Sequence, residues 1–252
     1  MCPPPREAPR TLFLLGFFTL FLELVLIRYL AGNIWNLGYF PNLVLMSAFV
    51  GMGAGFVFHG RIPEHRSPGL FALACAGLFG LALFVHLFRP AVPFLESWKG
   101  LVDGEMYFTA SPDAQTTSAS NAVFAVWFAA VAAIFALVSQ RTAKVFRAFP
   151  PLTAYALDVG GSCAGILAFM AISWLQLPAW SWFLIAAPLV LGALEPAPAR
   201  MLALAALCAT AALAFHQDTL LFGRQKPKGL FSVHWSPYQK VEFQHSEDAR
   251  WD

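Results

Sequence analysis

The chain has 252 residues, of which 58% are hydrophobic and 12% charged, with a formal net charge of +2 and a mean hydropathy of +0.62. Ordinary soluble domains carry ~25% charged residues, and a fold this apolar could not cover its own surface in water. So weak a charge, with no Lys/Arg-rich run beyond short loops, gives no argument for a nucleic-acid partner, and none is expected.

Seven apolar runs follow in chain order, at about 11–31, 42–59, 69–88, 121–139, 153–175, 179–194 and 201–217. A hydrocarbon core of ~30 Å takes ~20 apolar residues as a helix, and charges, prolines or polar loops separate each run from the next. The expected fold is an all-α polytopic membrane protein, a bundle of about seven transmembrane helices with a short C-terminal β-like tail. Residues 1–10 form the N-terminus, 11–217 the membrane domain and 218–252 an extramembrane tail. The first run is too long for a signal peptide, contains Glu23 and Arg28, and is read as an uncleaved span.

The sixth run is short and contains Pro188. It is expected to be kinked, or packed steeply against the fifth through the tight Gln176-Leu177-Pro178 link. Residues 89–120 form the one long connection, with an interfacial helix expected around FLESWKGLVDGEMYF and a polar stretch at 109–121.

Short connections on one side carry Arg6, Arg10, Arg61, Arg66, Arg141, Lys144, Arg147 and Arg200, against Arg89 and Lys99 on the other. The positive-inside bias places the N-terminus in the cytoplasm. Seven crossings then put the tail outside, although Arg224, Lys226 and Lys228 at its start weaken that bias.

Intramembrane polar candidates are Glu23, Arg28 and Asp158. A central carboxylate such as Glu23 costs at least a few kcal/mol unless paired or wetted. It reads as a structural clamp, with a cavity or proton path as the alternative. Arg28 reads as a clamp partner or a snorkelling cation. Asp158 falls early in the fifth span, so a pair with Arg28 is disfavoured by depth, and Lys144 or Arg147 are the expected partners.

Ser47, Gly51 and Gly55 in the second span, and Gly161 and Gly165 in the fifth, recur four apart. They read as close helix-packing ridges. The glycines at 51, 53 and 55 have no strand before them, which argues against a phosphate loop. Cys2, Cys75, Cys163 and Cys208 have no paired spacing. His86 and His216 share a predicted side and could bracket a haem, but nothing else in the sequence supports one. No cofactor, metal centre or catalytic residue is expected.

In the tail, GLFSVHWSPYQKVEFQ at 229–244 alternates apolar and polar residues around Ser236-Pro237, the pattern of short strands. Its Ser236-Pro237-Tyr238-Gln239-Lys240-Val241 piece resembles the opening segment of the spermidine synthases, the polyamine aminopropyltransferases. The runs FLELVLIR at 21–28 and YALDVGGS at 155–162 resemble the membrane domain that precedes the synthase domain in bacterial spermidine-synthase-like proteins. The resemblance implies a bacterial inner-membrane protein in which Tyr238 and Gln239 lie where that family contacts a thioadenosine nucleoside. The family's Gly-rich nucleoside loop, ribose-binding acid and proton-accepting Asp do not occur in these residues. The resemblance therefore implies a noncatalytic anchor or subunit, whose partners are the lipid bilayer and another protein chain or membrane complex. A split aminopropyltransferase and a small-solute transporter-like module are the alternatives.

Overall fold

The computed structural model describes residues 8–34, 41–61, 63–88, 114–193, 197–220, 230–238 and 240–244. Its helices are α1 (Ala8–Asn33), α2 (Asn42–Phe58), α3 (Ser67–Phe88), α4 (Ala114–Phe146), α5 (Pro151–Trp174), α6 (Ala179–Ala193) and α7 (Ala197–Leu220). Two 3₁₀ turns, His59–Arg61 and Glu64–Arg66, link α2 to α3, and a hairpin of β1 (Leu230–Trp235) and β2 (Lys240–Gln244) follows α7. Among the described residues, all of these helices but α6 are long and apolar enough to cross a bilayer. The chain is a polytopic membrane protein.

Helix is the form a spanning segment must take here, because hydrocarbon offers no partner to a backbone N–H or C=O. α4 runs well beyond its apolar span, Ala125–Phe146, which corrects the polar loop expected through residue 121. Leaving the hydrocarbon does not end a helix, and no Gly or Pro interrupts 114–146. The interfacial helix expected in 89–108 lies outside the described residues.

The fifteen residues of α6 rise only about 22 Å. Nevertheless α6 carries the chain from one end of the bundle to the other. Its first turn places Trp182 beside Trp235 of the hairpin. At its last residue, the Ala193 carbonyl accepts hydrogen bonds from Arg141 Nη2 at 2.8 Å and Nε at 3.2 Å. That guanidinium satisfies an orphan carbonyl at a helix C-terminus and opposes the local dipole. The C-terminal ends of α1, α3, α5 and α7 meet at the Trp235 end, tied by bonds among Arg28, Tyr29, Ala82, Ser173 and Gln217. The helical passes therefore alternate, and the start of α1 and the hairpin lie at opposite ends.

α6 touches α5 near the tight link and takes most of its packing elsewhere. It packs on α7 and α1 and meets α5 at Phe169–Trp182. The cause is the turn between them. Gln176 has φ 53°, and the bonds Leu177 N–H to Ile172 O and Gln176 N–H to Ser173 O form a Schellman cap that swings the chain off the α5 axis.

α1 is the hub. Its Leu15, Phe18, Phe21, Leu22, Val25 and Leu30 side chains are fully buried, and Phe18 packs on Phe71 of α3 with ring centroids 4.9 Å apart. Along α5 the approach is backbone to backbone. A methyl group at Gly165 would lie 2.6 Å from the Phe17 carbonyl oxygen, one at Gly16 would lie 2.6 Å from that of Asp158, and one at Gly161 would overlap Phe13 O. On the other side Gly51 and Gly55 seat α2 on Ala132 and Ala136 of α4, and the buried Ser47 hydroxyl donates to Val44 O at 2.7 Å. Where hydrocarbon competes for every apolar surface, such contacts supply much of the helix association.

Gly161→Leu is expected to destabilise the detergent-solubilised bundle by about 1–3 kcal/mol or more, because the displaced atoms are backbone. Gly53→Ala, at a site with nothing within 4 Å, should leave the thermal unfolding midpoint of the same preparation unchanged.

Candidate functional site

At the hairpin end the polar residues of several helix termini converge on two strand residues. Trp235 and Lys240 are paired across the antiparallel register, which puts their side chains on one face of the hairpin. Both point into the bundle. Trp235 is 4% exposed and its indole N–H donates to Asp218 Oδ2 at 3.0 Å. The Lys240 ammonium lies 3.7 Å from Asp218 Oδ1, donates to Asn33 Oδ1 at 3.3 Å and sits 5.6 Å from the Trp235 ring centre. Gly32 of α1 makes room for the ring, since a Cβ there would fall 2.7 Å from it.

Arg28 completes the arrangement from α1. It is 8% exposed. One terminal nitrogen donates to Ser173 Oγ at 2.5 Å and the other to the Ser236 carbonyl at the hairpin turn. Its guanidinium carbon stands 4.9 Å above the Trp182 ring and 6.0 Å from that of Phe169. Trp182 meets Trp235 edge to face at 4.9 Å and is held by its own N–H to Leu177 O at 2.9 Å, so the Schellman turn orients the platform. A planar guanidinium suits this task because it stacks and donates at once, whereas an ammonium does only the latter. Beneath, Tyr29 donates to Gln217, whose amide nitrogen donates to Ala82 O at 3.2 Å.

The intramembrane candidates separate. Arg28 does not clamp Glu23 among the described residues; it joins the membrane bundle to the hairpin. Glu23 is 2% exposed, and neither oxygen has a hydrogen-bond partner among the described residues. Asp158 packs by Gly16, twelve residues and about 18 Å of helix rise below Arg28. Its expected partners are engaged elsewhere, Lys144 with Pro63 O at 3.0 Å and Arg147 with His59 at 3.1 Å. The separation from Arg28 agrees with the depth expectation, whereas Lys144 in the last turn of α4 and Arg147 just beyond it reach toward the α2–α3 link instead of Asp158.

Tyr238 is 93% exposed at the hairpin turn, its N–H donating to Ser236 Oγ at 3.4 Å; Gln239 lies outside the described residues. His86 and His216 stack edge to face at 5.3 Å, too close for an iron and its macrocycle to stand between the rings. No group of three metal-ligating side chains occurs among the described residues. Sequence reasoning missed Asn33, Ser173, Trp182, Gln217, Asp218, Trp235 and Lys240. The signal available was strand parity: Trp235 and Lys240 share a hairpin face, and Asp218 is the first acid upstream.

The donors here are aimed at fixed protein acceptors, so this chemistry holds two parts together. Trp235→Ala is expected to cost about 3–5 kcal/mol locally, and proteolysis within 230–244 should accelerate while the helical bundle keeps its unfolding midpoint. Arg28→Lys should show the same loosening despite its retained charge. No family model, curated protein or solved structure matches the chain.

Proposed function

We propose that this chain is a noncatalytic membrane anchor that presents the opening hairpin of a spermidine-synthase-like catalytic region at one membrane face. That region is a further part of the same polypeptide or a partner chain. The observation that carries the reading is the latch: the strand segment resembling the synthase opening is locked to the helix ends by Trp235, Lys240 and Arg28. A hairpin alone in water is marginally stable at best, and docking on the bundle preorganises it. Its turn, with Tyr238, faces solvent where an added domain can build on it.

Arg10, Arg61, Arg66, Arg141, Lys144, Arg147 and Arg200 belong to helix ends and links opposite the hairpin. By the positive-inside rule the start of α1 lies in the cytoplasm and the hairpin outside, in a bacterial inner membrane if the resemblance to the synthase-like proteins holds. Tags fused at the two termini should be protease-accessible from opposite sides of intact cells. A synthase-like polypeptide should copurify in mild detergent with the native chain and be lost with Trp235→Ala, and the chain of these 252 residues should bind no thioadenosine. Tight binding of that nucleoside by the isolated chain contradicts the anchor reading.

One observation favours a second reading, a small-solute transporter-like module: the buried Glu23 carboxyl without a partner among the described residues. An anchor tolerates Glu23→Gln with its assembly intact. A transporter loses flux in proteoliposomes with the same substitution while remaining folded.

A further inference from the structure

Between α1, α2 and α4 lies an apolar groove of about 220 Å3, lined chiefly by Leu30, Leu43, Val44, Ser47, Trp127 and Val131. The Ser47 hydroxyl is already bonded to Val44 O, which leaves the Trp127 indole as the other polar-bearing side chain of this set. Water needs two to four polar partners to occupy such a space, and the lining does not supply them. Left empty, the lining atoms forfeit dispersion contacts on one side.

Its position identifies the occupant. Leu30 is in the last turn of α1, Leu43 in the first turn of α2, and Trp127 is the third residue of the apolar span Ala125–Phe146. The groove thus begins where hydrocarbon meets headgroups on the hairpin side. Ala125 at its rim is exposed, and on neighbouring turns Met46, Phe49 and Val126 are each more than half exposed, so the described part of the rim faces the bilayer. Deeper in, the close seating of Gly51 and Gly55 on α4 brings the two helices together and closes the cleft.

We propose that this groove seats the ester-proximal part of one acyl chain of a phospholipid from the hairpin-side leaflet, with the lipid's ester region level with Trp127. The site needs neither the latch nor the anchor reading. Trp127 lines the groove with one side of its ring packed on Phe84 and only 6% of its surface exposed, so a chain seated there meets its remaining edge and lipid elsewhere on the protein's outer surface does not. Tryptophan favours this depth because its ring is apolar and its N–H is not.

The test is native mass spectrometry of the full chain, purified in mild detergent and then exchanged into fresh detergent. Wild type should retain about one phospholipid per chain, and Ser47→Leu and Val44→Phe, which fill the groove, should lower that occupancy roughly tenfold. Should a variant fail to fold, wild type is compared with Trp127→Phe in vesicles of chain-brominated phosphatidylcholine. Bromine should quench a larger fraction of the wild-type fluorescence, the excess coming from Trp127. Absence of bound phospholipid, equal retention by folded variants, a different hydrophobic molecule in its place, or equal fractional quenching would each overturn the proposal.

Discussion

Hydrocarbon cannot hydrogen-bond, and that constraint orders this molecule. It makes every spanning segment a helix, leaves packing rather than solvent exclusion to join the helices, and drives polar side chains toward helix ends. Both ends show the result. At one, Arg141 gathers the last carbonyl of α6 and the Ser67 hydroxyl at the start of α3. At the other, Arg28, Tyr29, Asn33, Ser173 and Gln217 form the surface on which the hairpin sits.

α1 connects those ends because it alternates two kinds of contact. On the α5 side, glycines at 16, 161 and 165 bring backbones together. On the α3 and α6 side, Phe18 and Tyr29 fill the space with rings against Phe71 and Phe183. The same helix then places Arg28 between an aromatic platform and the hairpin turn. A buried cation without such company costs several kcal/mol; here two acceptors and two rings offset that cost. The guanidinium Nε remains without a partner among the described residues.

Much of the fold was legible because its signals are local. Apolar runs of bilayer length, the glycine spacing at 51 and 55, and the strand alternation around Ser236-Pro237 each concern neighbours in sequence. The latch was not legible in that way. Arg28 and Ser236 are separated by more than two hundred residues, and a lone Arg near a helix end reads equally as a snorkelling cation. The partners expected for Asp158 failed for a related reason: Lys144 at the end of α4 and Arg147 just beyond it face Pro63 and His59, so nearness in sequence does not bring them to that carboxylate.

By itself the sequence determined the solvent, the helical class and the positions of the spans, since length and hydropathy decide what hydrocarbon accepts. The sequence counted the short sixth run as a crossing, but the tertiary structure decided that its fifteen-residue helix reaches from one end of the bundle to the other, as the opposite placement of hairpin and N-terminal helix start requires. It also decided that Trp235 and Lys240 face inward. The physical reason is the same in both cases: these outcomes depend on which partner waits at the far end of a helix, and no local pattern encodes a contact between residues so distant along the chain.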